Sequence, residues 1–190
     1  MKYDIAIVGG GPAGMSAALF LKGAGLNVIL INSEKSQLKS AWLDNYLGLE
    51  EISGPELLEK IKNQLKSREI SLLNDEVTDI KRNNKDFSVE MVNNPPIVAS
   101  RILLASGQKS GLKIAEKLGL SLIENNEPYV KLKVEVDTEY QTSHQDVYAC
   151  GTLVGVSSQA IIAAGNGAQV ALNIISKLSG KRVHHHKTLA

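Results

Sequence analysis

Two short stretches of this sequence carry residue types suited to chemistry: a cluster of glycines near the start and the single cysteine at position 150. Gly9, Gly11 and Gly14 have the spacing G-x-G-x-x-G, directly after the apolar run YDIAIV (residues 3–8). In that setting the first glycine permits a tight turn, the second lets the backbone approach a pyrophosphate, and the third lets helix and strand pack closely. The pattern predicts a dinucleotide site at a helix N-terminus.

The stretch YACGTLVG (148–155) contains Cys150 and, two residues later, Thr152. One cysteine excludes an internal disulfide and a Cys-x-x-Cys redox pair. A lone thiol is more often buried by packing than reactive, so packing is the expectation for Cys150 and a redox role is the alternative. The glycines at 151 and 155 precede a helical pattern that starts near Ser158, so free N–H groups and a positive dipole end are expected there.

The identity of the dinucleotide is left open by the residues that follow the second predicted strand. An acid that binds the ribose is expected about twenty residues after the glycines, but the strand ends in Asn32 and Ser33, followed by Glu34 and Lys35. An uncharged strand end with a lysine nearby suits a 2′-phosphate. NADP therefore remains an alternative to FAD.

The elements that must position these residues follow from periodicity. Residues 3–8 and 27–32 read as buried strands around a helix that ends at Gly23, and Ser53-Gly54-Pro55-Glu56 announces a second helix through a capping box. Strands are expected over 70–105 with turns at Asn83-Asn84 and 93–96, the last of them IVASRILLASG. Further segments are a half-exposed strand (129–137), a buried strand (146–150) and a helix (158–177).

This order predicts an α/β fold: a Rossmann-like parallel sheet flanked by helices, with an antiparallel β addition. We expect one domain over residues 1–180 and a polar tail over 181–190. His184-His185-His186 in that tail are expected to be a solvated end rather than a metal site, and no metal site is predicted. The aromatic residues Trp42 and Tyr46 are expected in the core, with stacking on a flavin as the alternative.

Composition limits the kind of partner. The 190 residues include 21 basic and 20 acidic ones, for a net charge of +1, so no excess of positive charge points to nucleic acid or an anionic membrane. No apolar run reaches the roughly eighteen residues of a membrane span, and the first apolar stretch is too short for a signal peptide. Together with the single cysteine, these features predict a cytoplasmic protein.

At this point the sequence resembles a known family. The stretches IVGGGPAGMSAALFL, DNYLGLEEISGPELLEKIKNQL, ILLASG and QTSHQDVYACGTLVGVSSQAIIAAGNGAQVALNI are similar, in the same order, to the flavin-binding domain of low-molecular-weight thioredoxin reductases, and to short relatives made of that domain alone. The resemblance implies FAD as the cofactor, a flavoprotein oxidoreductase activity and a homodimer. In that family no acidic residue is required at this strand end. The presence of Asn32 there is therefore no objection to FAD.

The resemblance also assigns roles by position. The pyrophosphate would lie at Gly9, Gly11, Pro12, Ala13 and Gly14. The adenosine would lie beside Asn32, Ser33, Lys35 and the backbone of Val77. The ribityl chain and flavin would contact Gly151, Thr152, Gln159 and Ala160. The isoalloxazine side would be approached by Gln37 and Asn45, and the segment Ala105, Ser106 and Gly107 would cross near the cofactor.

Two departures from the family pattern shape the expected activity. The family's Ala-Gly-Asp motif is Cys150-Gly151-Thr152 here, and the nicotinamide domain that should follow Gly107 is replaced by a short segment with no second glycine motif. The chain is therefore not expected to reduce thioredoxin unaided. Electrons would come from diffusible NAD(P)H or a redox partner protein, and the alternative function is a non-catalytic sensor that binds FAD or NADP.

Overall fold

The fold is built on a five-stranded parallel sheet, seen in a computed structural model that describes residues 2–127 and 130–183. The strands are β1 (Lys2–Tyr3), β2 (Ile5–Val8), β3 (Val28–Asn32), β4 (Trp42–Leu43), β5 (Ile52–Ser53), β6 (Ser71–Asn74), β7 (Val77–Asn83), β8 (Asp86–Met91), β9 (Ile97–Ala99), β10 (Ile102–Leu104), β11 (Leu122–Glu124), β12 (Leu132–Val134) and β13 (Val147–Ala149). The helices are α1 (Pro12–Gly23), α2 (Gly54–Ser67), α3 (Gly107–Lys117) and α4 (Ala160–Ser179). The parallel sheet has the order β13-β10-β2-β3-β6. The predicted fold class, parallel sheet with helices and an antiparallel addition, is confirmed.

The antiparallel addition is a second sheet of order β1-β9-β8-β7. It corrects two predictions, because residues 3–8 and the run IVASRILLASG are not single strands. The first run breaks at Asp4 and the second at Ser100-Arg101, and in both cases the earlier part joins the second sheet while the later part joins the parallel sheet. β1 pairs with β9 and β2 pairs with β10. The segments β1–β2 and β9–β10 therefore run side by side from one sheet to the other.

Helix starts and strand lengths follow local sequence signals. The Oγ of Ser53 accepts a hydrogen bond from the Glu56 N–H at 3.3 Å, so the predicted cap of α2 is confirmed. β12 is shorter than the predicted strand over residues 129–137 and pairs antiparallel with β11. The side chain of Val134 is buried but that of Leu132 is 39% exposed, so the predicted alternation of buried and exposed side chains is not seen in β12.

The core has two halves, one on each face of the parallel sheet. In β2, Ile5 and Ile7 face helices α1, α2 and α4, whereas Ala6 and Val8 face α3 and the second sheet. Strands buried on both faces explain the nearly continuous apolar runs in the sequence. All pairings within this sheet are parallel, so the carboxyl ends of its strands lie at one edge.

None of the helices in the described part of the chain combines the length and apolar character needed to cross a membrane. The histidines of residues 184–186 lie outside the described residues, as does most of the predicted polar tail.

Candidate dinucleotide site

A cleft of about 620 Å³ lies along the carboxyl edge of the parallel sheet. Its walls are made by the residues that follow strand ends, namely Gly9 after β2, Ser33 after β3, Ala105 after β10 and Gly151 after β13. The chain leaves β2 toward β3 on one side, and β10 lies on the other side, so this is the point where the strand order reverses. Ligands of open α/β sheets bind at such a point.

The three motif glycines differ in what surrounds them. Gly9 has φ +122°, and a Cβ there would overlap the backbone of Ala105 and Ser106. A Cβ on Gly14 would overlap the carbonyl oxygen of Gly9, so packing of α1 on β2 requires glycine. A Cβ on Gly11 would meet only the Oγ of Ser36, at 3.9 Å, so protein packing does not require glycine there. The space beside Gly11 belongs to the cleft.

The end of β3 holds a small polar network. The Oδ1 of Asn32 accepts the Glu34 N–H at 3.0 Å, and its Nδ2 donates to Glu34 Oε1 at 2.9 Å. Hydrogen bonds from Lys39 (2.7 Å) and then Lys62 (3.0 Å) hold the pKa of Glu34 below its usual value. Glu34 is therefore tied to Lys39 and to Lys62 of α2, and it is not one of the cleft-lining residues. Asn32 lines the cleft, but its amide is engaged within the protein.

The opposite end of the cleft joins segments far apart in sequence. The Nδ2 of Asn45 donates to Gln159 Oε1 at 3.3 Å across 114 residues. Both residues line the cleft, as does Trp42, whose 66% exposure makes its expected place in the core wrong. Tyr46 is half-buried and packs against the core face that carries α1, α2 and α4.

The turn after β13 is held from behind by α4. Gly151 has φ +72°, and its N–H donates to Oδ1 of the buried Asn166 at 2.7 Å. Asn166 was missed by sequence reasoning, because an asparagine inside a helical pattern gives no sign of a partner fifteen residues away. Thr152, the next residue, lines the cleft.

Cys150 is fully buried at this turn. Burial raises the pKa of its thiol to about 12, so the group is protonated at neutral pH. The placement supports the packing interpretation over a redox role, since the thiolate is the reactive form.

A second cavity of about 380 Å³ adjoins the cleft and shares six lining residues with it, among them Ser33, Lys35 and Ser106. Val77 lines this cavity. Asp75 also lines it and accepts hydrogen bonds from Asn94, Glu76 and Asn93, which lower its pKa to about 2, with the Asn94 side chain as the largest cause. Sequence reasoning missed this carboxylate, because all of its donors except the Glu76 N–H lie in the turn at 93–94.

The structure brings the predicted site residues together. All of those predicted from the resemblance line the cleft except Gly14, which lies behind Gly9, and Val77, which lines the adjoining cavity. The ammonium of Lys35, suggested for a 2′-phosphate, instead lies 2.6 Å from Glu76 Oε2. Among the described residues, no group of three or more His, Cys, Asp or Glu side chains is arranged to hold a metal ion.

Comparison with known proteins places this geometry in a family. The sequence pattern of the pyridine nucleotide-disulphide oxidoreductases matches residues 3–114 and, in an overlapping second match, residues 49–167. The chain is 31% identical over 111 residues to a thioredoxin reductase of Ureaplasma parvum, a match that covers 57% of this chain and 36% of the reductase. The chain thus spans little more than a third of the length of that relative.

Solved structures share the fold at lower identity. An oxidoreductase from Agrobacterium tumefaciens superposes with a TM-score of 0.81 at 17% identity, over 95% of this chain and 100% of the other. A thioredoxin reductase from Gloeobacter violaceus gives a TM-score of 0.78 at 18% identity, over 100% of this chain and 99% of the other. The family pattern extends over more than half of the chain, so this chain belongs to the pyridine nucleotide-disulphide oxidoreductase family and corresponds to its FAD-binding domain.

Proposed function

We propose that this chain binds FAD along the cleft and acts as a flavoprotein oxidoreductase of the thioredoxin-reductase-related type. The observation that carries the proposal is the state of the helix starts. Helices α1, α3 and α4 all begin at the cleft, and within the described residues none has a side-chain cap or an acidic residue in its first turn. Helix α2 begins elsewhere and has both, in Ser53 and Glu56.

Uncapped helix starts leave backbone N–H groups that need acceptors. A dinucleotide supplies them in the form of pyrophosphate oxygens at α1 and the carbonyl edge of a flavin at α4, where the positive dipole end favours negative charge. The proposal therefore accounts for the starts of α1 and α4 with one extended ligand.

Two further features fit a bound dinucleotide. The open space beside Gly11 is what a pyrophosphate close to the backbone requires, since no side chain fills it. The Oγ of Ser106 is buried and has no hydrogen-bond partner among the residues that the structure describes. Buried hydroxyls are normally satisfied, so Ser106 supports a ligand group at the junction of the two cavities.

When bound, FAD would supply the redox chemistry by accepting electrons and passing them on. Among the described residues that line the cleft, the ionisable side chains are Lys35 and Lys109, so no carboxylate, imidazole or thiol there offers acid–base chemistry. The protein's part is to hold the cofactor and orient it by helix ends. Electrons would come from diffusible NAD(P)H or from a redox partner protein.

The residue at position 152 favours a second candidate function, a non-catalytic module that senses FAD or NADP. A neutral hydroxyl, Thr152, stands where the family has a carboxylate, and a charged hydrogen bond contributes about 1.5–3 kcal/mol against about 0.5–1.5 kcal/mol for a neutral one. The affinity for the dinucleotide is therefore expected to be about tenfold lower, which suits a ligand that binds and dissociates. Reversible reduction of the bound flavin separates the two candidates.

The test is the visible spectrum of protein purified without added cofactor, followed by anaerobic titration with NADH and NADPH. Flavin absorption that bleaches supports the oxidoreductase and identifies the donor. Flavin that dithionite reduces but nicotinamides do not indicates a partner protein, and flavin that resists reversible reduction supports the sensor. A colourless protein that fails to take up added FAD overturns both flavin proposals and makes NADP the favoured ligand.

A further inference from the structure

The cavity beside Val77 carries more positive charge than a plain adenosine needs. Its charged lining residues are Lys35, Lys109, Lys113, Lys117, Asp75 and Glu76. Three of the lysines lie on one face of α3 at intervals of four residues, which places them in a row along the cavity wall. The lining thus has four basic groups against two acidic ones.

Both acidic groups are already engaged. Glu76 pairs with Lys35 at 2.6 Å. Asp75 accepts several hydrogen bonds from the backbone and side chains of Asn93 and Asn94, so its charge is stabilised within the protein. Neither carboxylate is therefore available to the lysines of α3.

The lysines of α3 differ in how far they are engaged. Lys117 donates to the carbonyl oxygen of Thr78 at 2.8 Å. Within residues 2–127 and 130–183, Lys109 and Lys113 have neither an ion pair nor a hydrogen bond. Lys109 lines the cleft as well as the cavity, so the row begins at the junction of the two and runs outward from it.

A second feature marks the same junction. Ser106, the residue before α3, lines both cavities, and its buried Oγ lacks a partner among the described residues. The start of α3 adds uncapped N–H groups and the positive end of a helix dipole. Ammonium groups, a hydroxyl and a helix start form a donor set that matches a phosphate group.

We propose that this cavity binds a phosphate monoester on the ribose of an adenine nucleotide, at the 2′ or the 3′ position. Val77, Ser33 and Lys113 bound the same cavity, so an adenine beside β7 puts its ribose between the end of β3 and the lysine row. The inference rests on the proposed function in one respect, since it takes the adenosine half of a dinucleotide to lie in this cavity. It goes beyond FAD, whose adenosine ribose carries no phosphate monoester.

The test is calorimetric titration of the full chain, freed of nucleotide, with three adenosine ligands. These are 5′-AMP, adenosine 2′,5′-bisphosphate and adenosine 3′,5′-bisphosphate. One bisphosphate is expected to bind about tenfold more tightly than 5′-AMP at low salt, with the preference shrinking as salt is raised. The better of the two identifies the position of the phosphate.

Single-lysine variants distinguish a specific phosphate site from nonspecific electrostatic attraction. Lys113→Ala is expected to remove most of the preference and Lys109→Ala part of it, because each deletes one donor from the row. Lys60→Ala on the exposed face of α2 is the matched control and is expected to keep the ratio of affinities. Alanine is a good helix former, so these substitutions preserve the helices.

The outcomes bear on the two proposals separately. Equal affinities for all three ligands, no binding of any of them, or a preference that Lys113→Ala and Lys60→Ala change alike would each overturn the phosphate site. FAD binding without a bisphosphate preference overturns this inference and leaves the proposed function standing. A bisphosphate preference in a protein that does not bind FAD supports this inference and overturns the proposed function.

Discussion

At the scale of single residues, Gly11 and Gly14 make a matched pair, because one leaves space for a ligand and the other for the protein itself. Gly11→Ala places a methyl group in open space with extended backbone geometry, so stability is expected to change little while FAD affinity falls. Gly14→Ala drives a Cβ into the Gly9 carbonyl, and overpacking of this kind costs about 1–3 kcal/mol.

Urea unfolding and FAD titration of both variants check the pair. The proposed pyrophosphate position is contradicted if Gly11→Ala binds FAD as well as the parent protein does. Full stability of Gly14→Ala would mean that α1 and β2 do not pack closely enough to require glycine at this position.

Cys150 gives a second residue-scale prediction, because its burial and raised pKa make it inert in the folded protein. The thiolate forms only as pH approaches about 12, so labelling by a disulfide reagent at pH 8 is expected to be slow and to become fast in denaturant. Cys150→Ala is expected to keep the redox behaviour of the protein. Fast labelling of folded protein at pH 8, or loss of flavin reduction in this variant, would restore the redox role.

At the scale of elements, Asp75 fixes the turn at residues 93–94 against the start of β7. The hydrogen bonds it accepts lower its folded-state pKa to about 2 from an ordinary value of 3.8. A lowered pKa means that the ionised group stabilises the fold above its ordinary pKa, and that this contribution is lost as pH falls from about 4 toward 2. We therefore expect part of the acid sensitivity of the protein to come from this one carboxylate.

The comparison is between parent protein and Asp75→Asn, unfolded with urea at a series of pH values. The parent is expected to be the more stable above pH 4, and the difference is expected to shrink toward pH 2. A difference that is constant across this range would show that Asp75 does not titrate as its contacts indicate.

Elements were predictable where periodicity and burial agree. β2, β3 and β13 are buried on both faces and stood out as apolar runs, and the cap at Ser53 was readable as a motif. The breaks at Asp4 and Ser100 were not, because one or two polar residues inside an apolar run do not by themselves show that the next strand joins another sheet. The same holds for the site, where glycine spacing was legible but Asn166 and Asp75 act through partners distant in sequence.

At the scale of the whole molecule, the cleft is a seam between parts of the fold. One wall comes from β2, β3 and α1, and the other from β10, β13 and the starts of α3 and α4. A ligand that contacts both walls adds to the pairing of β2 with β10 and to the Asn45–Gln159 hydrogen bond, which already connect them. Cofactor binding is therefore coupled to global stability.

The homodimer implied by the resemblance remains a prediction, and sedimentation of the purified chain tests it.

The coupling yields a quantitative expectation. A ligand present at one hundred times its dissociation constant, and bound only by the folded state, adds about 2.7 kcal/mol to stability. For a chain of 150–250 residues, each kcal/mol raises Tm by about 2–4 °C, so saturating FAD is expected to raise Tm by about 5–10 °C. Gly11→Ala is the control, since it keeps the fold but should lose most of the shift at the same FAD concentration. A Tm that FAD leaves unchanged in both proteins would mean that no flavin bridges the seam, whereas an equal rise in both would place the cofactor away from the glycine turn.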